Sequence, residues 1–152
     1  MTLTGTNGRS FDLSVTGYQF PDVTDDDYDS NWLCVTIKLE GFGKAWTADS
    51  PSLMTWELRT LADWFKQILI GTESHNEIRF IEPNLIFQLI YEKAGIFLIR
   101  TTLSLESKPD WYDESSFFTF DLDVDKNQIQ NSINSLEYQL VRFPGRGGIV
   151  IR

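Results

Sequence analysis

The side chains that could do chemistry in this chain are mostly carboxylates. Asp121-x-Asp123-x-Asp125 opens with the spacing of a calcium loop. Such a loop needs Gly at its sixth position for the sharp turn and Glu at its twelfth to chelate the ion. Lys126 and Ser132 stand there instead. Asp25, Asp27 and Asp29 fail in the same way, with Ser30 and Thr36 at those positions. His75 is the only histidine, so a two-histidine metal site is excluded, and a surface position after a helix is expected. No G-x-S-x-G elbow is present for a nucleophilic serine. Gly145–Arg146–Gly147–Gly148 is followed by no G-K-[ST], which leaves a terminal turn rather than a phosphate cradle. Cys34 is single and lies in an apolar run; a buried small hydrophobe is expected there, and a disulfide framework is excluded. No metal and no cofactor is expected.

Carboxylate pairs remain. Two acids can serve as general acid and base, as in glycoside hydrolysis. Acids are so frequent here that the possibility by itself carries little weight. Their distribution says more. Asp22, Asp25, Asp26, Asp27 and Asp29 fall within eight residues, with no base among them. Glu106 to Asp125 holds seven acids against Lys108. The net charge is −9, and these two segments carry −11, so the remainder of the chain is +2. Fields of this sign repel nucleic acid and anionic membranes and draw in basic partners. Each acidic loop also holds aromatic rings: Tyr28 in the first, Trp111 and Tyr112 beside Asp110, Asp113 and Glu114 in the second. Rings accept the flat face of Arg and carboxylates accept its fork of donors, so ring plus acid suits a Lys- or Arg-bearing surface. Plain loop packing and solubility are the competing meanings.

The elements that must position these residues follow from hydrophobic period. Phe11, Leu13 and Val15 alternate with polar residues, as in a half-buried strand. Trp32 to Glu40 is rich in β-formers; Gly41–Phe42–Gly43 turns it, and Lys44 to Thr47 returns. Ser50–Pro51 resembles a capped helix start, with Thr55 the other option. Leu58, Leu61, Ala62, Phe65, Ile68 and Leu69 then recur at helical spacing until Gly71. Strands are expected over Ile78–Glu82, Leu85–Tyr91 and Ile96–Leu105, and again around Phe118, Phe120, Leu122 and Val124. Asp125-x-x-Gln128 opens a second helix, with Ile129, Ile133, Leu136 and Leu140 in one stripe and Phe143–Pro144–Gly145 at its end. Gly148 to Arg152 is a candidate final strand.

This order predicts a single α+β domain over residues 1–152: an antiparallel sheet of about six or seven strands, with two amphipathic helices on one face. A β-sandwich with peripheral helices is the other picture. The 152 residues suffice for one core, and no run is long and apolar enough for a helical membrane span. The N-terminus lacks the basic and apolar blocks of a signal peptide, so a cytoplasmic location is expected.

One resemblance runs through nearly the whole chain. Phe20–Pro21–Asp22, Tyr28–Asp29–Ser30–Asn31–Trp32–Leu33, Thr55–Trp56–Glu57–Leu58 with Leu61 and Trp64, Phe80–Ile81–Glu82–Pro83–Asn84–Leu85 and Leu140–Val141–Arg142–Phe143–Pro144–Gly145–Arg146–Gly147 occur in an order that resembles the WapI-like immunity proteins. The resemblance implies a non-enzymatic protein that binds a toxin domain made by the same bacterium. The namesake toxin is a large cell-wall-associated protein whose C-terminal nuclease acts on tRNA, so the implied partner is a basic toxin domain. The acidic loops, Asp22 to Asp29 with Tyr28 and Asp110 to Glu114 with Trp111, are the expected contacts. A small carboxylate-dependent hydrolase and an adaptor with solubilising acids are the readings from other classes. Neither direct nucleic-acid contact nor a membrane is expected.

Overall fold

A computed structural model describes residues 1–72 and 75–148. The elements run β1 Thr2–Thr4, β2 Ser10–Tyr18, β3 Trp32–Glu40, β4 Ala45–Met54, α1 Thr55–Ile70, β5 Glu77–Arg79, β6 Leu85–Lys93, β7 Ile96–Ser104, β8 Phe117–Asp125 and α2 Lys126–Arg142. Single 3₁₀ turns, Asp29–Asn31 and Leu105–Ser107, precede β3 and follow β7. The strand considered over residues 148–152 falls on 149–152, outside the described residues.

The eight strands form two antiparallel sheets of four, ordered β1-β2-β3-β4 and β5-β6-β7-β8. The fold is α+β, and the single six- or seven-stranded sheet is corrected to this pair. The sheets face each other. Phe11 of β2 meets Phe87 of β6 edge-on at 5.5 Å between centroids, and Phe120 of β8 at 6.3 Å. One contiguous core includes both sheets and both helices. Each helix buries one stripe in that core: Leu58, Leu61, Ala62 and Phe65 of α1, and Ile129, Ile133 and Leu136 of α2.

The first sheet ends at β4, an edge strand that accommodates Pro51. Ser50–Pro51 opens no helix. Both lie within β4, a ten-residue edge strand that runs to Met54. Proline has no amide to donate, so in sheets it is confined to edges and irregularities. Pro51 pairs with Cys34 where the β3–β4 register shifts, and so meets both conditions. The chain leaves β4 directly into α1, and β5 starts a new sheet on the far side of that helix. Each half of the chain is therefore a four-stranded antiparallel run followed by a helix, a topological repetition with no repeat in the sequence.

The long helices end as their sequences dictate. Gly71 adopts φ 71° and closes α1 with its amide on the carbonyls of Gln67 and Ile68, a left-handed cap that glycine takes without strain. Asp125 caps α2, its carboxylate accepting from the Gln128 amide at 2.9 Å. Gln128 does not reach back to complete the capping box. Its side chain accepts from the Thr4 amide at 2.7 Å, tying α2 to β1. Gln139 of α2 accepts from the Val15 amide at 2.6 Å, just beyond the point where β1 stops pairing with β2. α2 thereby occupies an open sheet edge that would otherwise present unpaired amides.

Candidate functional site

The first acidic loop is a folded structure rather than a free tether. Gln19 N–H donates to the Trp32 carbonyl at 2.8 Å and closes its base. Asp26 Oδ1 accepts from the amides of Tyr28 at 2.8 Å and Asp29 at 2.6 Å, shaping the turn into the 3₁₀ segment. Asp27 Oδ1 accepts from the Gly148 amide at 2.6 Å. The Arg146 guanidinium donates to the carbonyls of Pro21 at 2.9 Å and Val23 at 3.2 Å, and lies 3.4 Å from the Tyr18 ring centroid. The clustered charge is thus tolerated partly because the C-terminal segment brings a cation and amides to it. Asp22, Asp25 and Asp29 are exposed, and their carboxylates have no partner among the described residues. Tyr28 is 66% exposed and meets Trp56 edge-on at 5.9 Å.

The second acidic loop is anchored by its rings. Trp111 and Tyr112 are half-buried and pack on Phe118 at 5.3 and 4.9 Å; Trp111 also lies 6.4 Å from Phe42 in the β3–β4 turn. Lys44 Nζ stands 4.9 Å from the Trp111 ring. Asp110, Asp113 and Glu114 point to solvent around this cluster. Other acids of the segment have structural partners. Asp121 binds Arg100 through both oxygens at 2.8 and 3.0 Å, and Asp125 is the helix cap. Among the described residues, no group of three or more His, Cys, Asp or Glu side chains is placed to hold a metal ion. His75 is exposed, with its carbonyl accepting from Trp64 Nε1 at 3.1 Å. Cys34, expected to be buried, is half-buried, because Leu33 and Val35 take the inward positions of β3.

The two acidic loops are not adjacent. The first joins the start of β3, and the second packs on the turn just beyond its end. Nine residues of strand separate them, roughly 25–30 Å at about 3.3 Å per residue. Between them lies a cleft that the sequence reading did not identify. It has a volume of about 350 Å³ and is lined by Gln19, Trp32, Asp49, Ser50, Pro51, Glu82, Asn84 and Glu106. Asp49, Ser50 and Pro51 come from β4, opposite the middle of β3. Glu82 and Asn84 come from the β5–β6 connection and Glu106 from the 3₁₀ turn after β7, so the cleft is built where the two sheets meet. Trp46 Nε1 donates to the Ser107 carbonyl at 3.1 Å and holds that turn against β4. Leu105 takes φ 51°, a left-handed backbone that a branched apolar residue rarely adopts, and stands 56% exposed immediately before Glu106. The cleft contains three carboxylates and no base.

Hydrogen bonds to its own backbone amide and to Asn84 hold the Glu106 carboxyl below its ordinary pKa. Burial raises the Glu57 carboxyl, but Glu57 is engaged elsewhere: it accepts from the Met54 amide at 3.0 Å and the Ile81 amide at 2.6 Å, at the head of α1. A hydrolase would need an acid with a raised pKa in the concave site. The raised carboxyl is instead a buried helix anchor, and Glu106 in the cleft is shifted the opposite way.

The two-sheet α+β fold carries its unpartnered carboxylates on surface loops. This chain belongs to the immunity protein WapI-like family, whose family model matches residues 2–144. Membership supports a toxin-neutralising role exercised by binding a cognate toxin. No curated protein and no solved structure matches the chain. The sequence signal for the cleft lay in Phe80–Ile81–Glu82–Pro83–Asn84–Leu85; Asp49 was hidden because its stretch read as the approach to a helix. No helix among the described residues is long and apolar enough to cross a membrane.

Proposed function

We propose that this chain is a cytoplasmic, non-enzymatic immunity protein that neutralises a basic toxin domain, a nuclease, by presenting carboxylates to its cationic surface. The observation that carries this reading is the set of exposed acids without partners: Asp22, Asp25 and Asp29 on one loop, Asp110, Asp113 and Glu114 on the other. Tyr28 supplies an exposed ring beside the first set, and Trp111 a partly covered ring beside the second. A nuclease gathers Lys and Arg along its substrate path to meet phosphates. Carboxylates held on a preformed loop meet the same cations with little ordering cost. Opposite fields also raise the association rate, toward ~10⁸ M⁻¹s⁻¹ at low salt, which suits the capture of a lethal enzyme.

The test is titration of the co-encoded toxin domain with the wild-type chain and with an Asp22→Asn, Asp25→Asn, Asp29→Asn triple variant. The carboxylates of these three aspartates make no hydrogen bond among the described residues, so the variant keeps its structure. The wild type should inhibit stoichiometrically, with affinity falling steeply with salt. The variant should bind more weakly, and its salt dependence should be shallower. Equal affinity for both proteins removes the loop mechanism, and absence of any toxin complex removes the immunity reading.

A further inference from the structure

Three features of the cleft between the sheets point to the kind of side chain it would take. First, its polar inventory consists chiefly of acceptors. Asp49, Glu82 and Glu106 are carboxylates, and no Lys, Arg or His lines the space. Second, two largely buried polar side chains in its wall each have an oxygen that makes no hydrogen bond among the described residues. Asn84 is only 3% exposed; its Nδ2 donates to Glu106 at 3.0 Å, while no donor among the described residues reaches its Oδ1. Ser50, 8% exposed, has a hydroxyl with no hydrogen bond among the described residues. Neither oxygen is shut off from the solvent of the cleft, so a donor on an incoming group can take the place of water there. Third, Trp32 forms part of the wall with an aromatic ring.

From these features we infer that the cleft is the seat of one arginine side chain of the protein partner. This rests on the proposed binding of a basic toxin. A guanidinium is planar, always charged, and carries five donors and no acceptor. It can stack on Trp32 while its edge donates to the carboxylates and to Asn84 Oδ1. A lysine ammonium brings a point charge and three donors but no flat face, so the indole wall favours arginine. About 350 Å³ accommodates the guanidinium and its stem. Gln19 at the base of the first acidic loop and Glu106 at the head of the second acidic segment both line the cleft, so an arginine seated there would anchor a basic surface that reaches toward both. An anchor in a desolvated pocket with a charged rim is the usual organisation of an energetic centre at an interface.

The test needs no toxin, so its failure is distinguishable from failure of the immunity reading. The full chain, isotopically labelled, is titrated with N-acetyl-arginine-amide while the Trp32 indole resonance is followed, assigned by a Trp32→Phe variant. N-acetyl-citrulline-amide is the uncharged control of the same shape, and N-acetyl-lysine-amide tests the choice between the two bases. Saturable shifts with the arginine probe are expected, with weaker binding of the lysine probe and none of the citrulline probe. Glu82→Gln and Asp49→Asn should each weaken the arginine probe about tenfold, as expected for loss of one charge-assisted partner. Glu92→Gln, near the end of β6 and outside the cleft lining, should bind like the wild type. Linear shifts without saturation, an equal response to citrulline, or unchanged binding in both cleft variants overturns the inference. Tighter binding of free zwitterionic arginine than of the capped form also overturns it, since that would make the cleft a metabolite site.

Discussion

Asn31 and Arg146, separated by 115 positions in sequence, are joined by two hydrogen bonds of the peptide type. Asn31 Nδ2 donates to the Arg146 carbonyl at 3.0 Å, and the Arg146 amide donates to Asn31 Oδ1 at 2.9 Å. The same Oδ1 accepts from Thr55 Oγ1 at 2.7 Å, and Nδ2 also donates to the Asp27 carbonyl at 2.9 Å. One fully buried amide therefore joins the first acidic loop, the head of α1 and the C-terminal segment.

Asn31→Ala should be among the more damaging substitutions near the loop. It leaves several buried donors and acceptors unmet, each worth about 1–3 kcal/mol where it stays buried. A lower urea midpoint is expected, together with faster hydrogen exchange at the amides of Arg146 and Gly147. Asn31→Asp should also destabilise, since the lost donor is replaced by an acceptor facing two carbonyls.

The five aspartates of the first loop should divide by role. Asp26→Ala removes the acceptor for two amides and should cost about 1 kcal/mol, in the range of a lost turn or cap. Asp27→Ala should loosen the Gly147–Gly148 segment. The Asp22, Asp25 and Asp29 triple to Asn should leave stability unchanged or slightly improved, because it relieves repulsion without breaking a contact. Denaturant melts of the three proteins at equal ionic strength check this ordering.

Stability should depend on pH through two glutamates of opposite sign. Glu137 of α2 accepts from Arg59 at 2.5 and 2.9 Å and from Lys66 at 2.5 Å. These cations hold its carboxyl at a pKa of about 2, against an ordinary 4.5. The stabilisation is therefore present above pH 4.5 and is lost as the pH falls toward 2. Glu137 is partly exposed, so solvent screening limits the contribution to about 1 kcal/mol. Glu57 has a raised pKa because it is buried. Its contribution is fully present below 4.5 and falls as the pH rises through the raised value. Urea midpoints measured from pH 2 to 7 should therefore lose acid slope below pH 4.5 in Glu137→Gln, whereas Glu57→Gln should remove the decline above pH 4.5 and should also be less stable, because one of the two amides at the head of α1 loses its acceptor.

Phe11 is the ring on which the two sheets meet, fully buried and in contact with Phe87 and Phe120. Phe11→Ala should cost about 3–5 kcal/mol through lost burial and the cavity left behind. Calorimetry should show a single lowered transition, because the two sheets share one core. Two separate transitions would mean that the halves fold independently.

Local pattern in the sequence determined much of this molecule. Richness in β-formers placed β3 at Trp32–Glu40, and the helical spacing of apolar residues ran correctly to the Gly71 cap. Asp125 was legible as a cap because that role depends only on the next three residues. The distribution of charge was legible too, as was the family, because both are properties of residue order. Tertiary structure decided the rest. The sequence spacing of strands does not say whether β4 pairs with β5 or breaks off at a proline edge, so two packed sheets stood only as the alternative, as a β-sandwich. It could not separate the aspartates that hold the first loop from those that face solvent, since the partners of Asp27 lie more than a hundred residues away. The cleft brings together Trp32, Asp49, Glu82, Asn84 and Glu106 from both sheets. No local pattern links them, because they become neighbours only when the two halves close on Phe11.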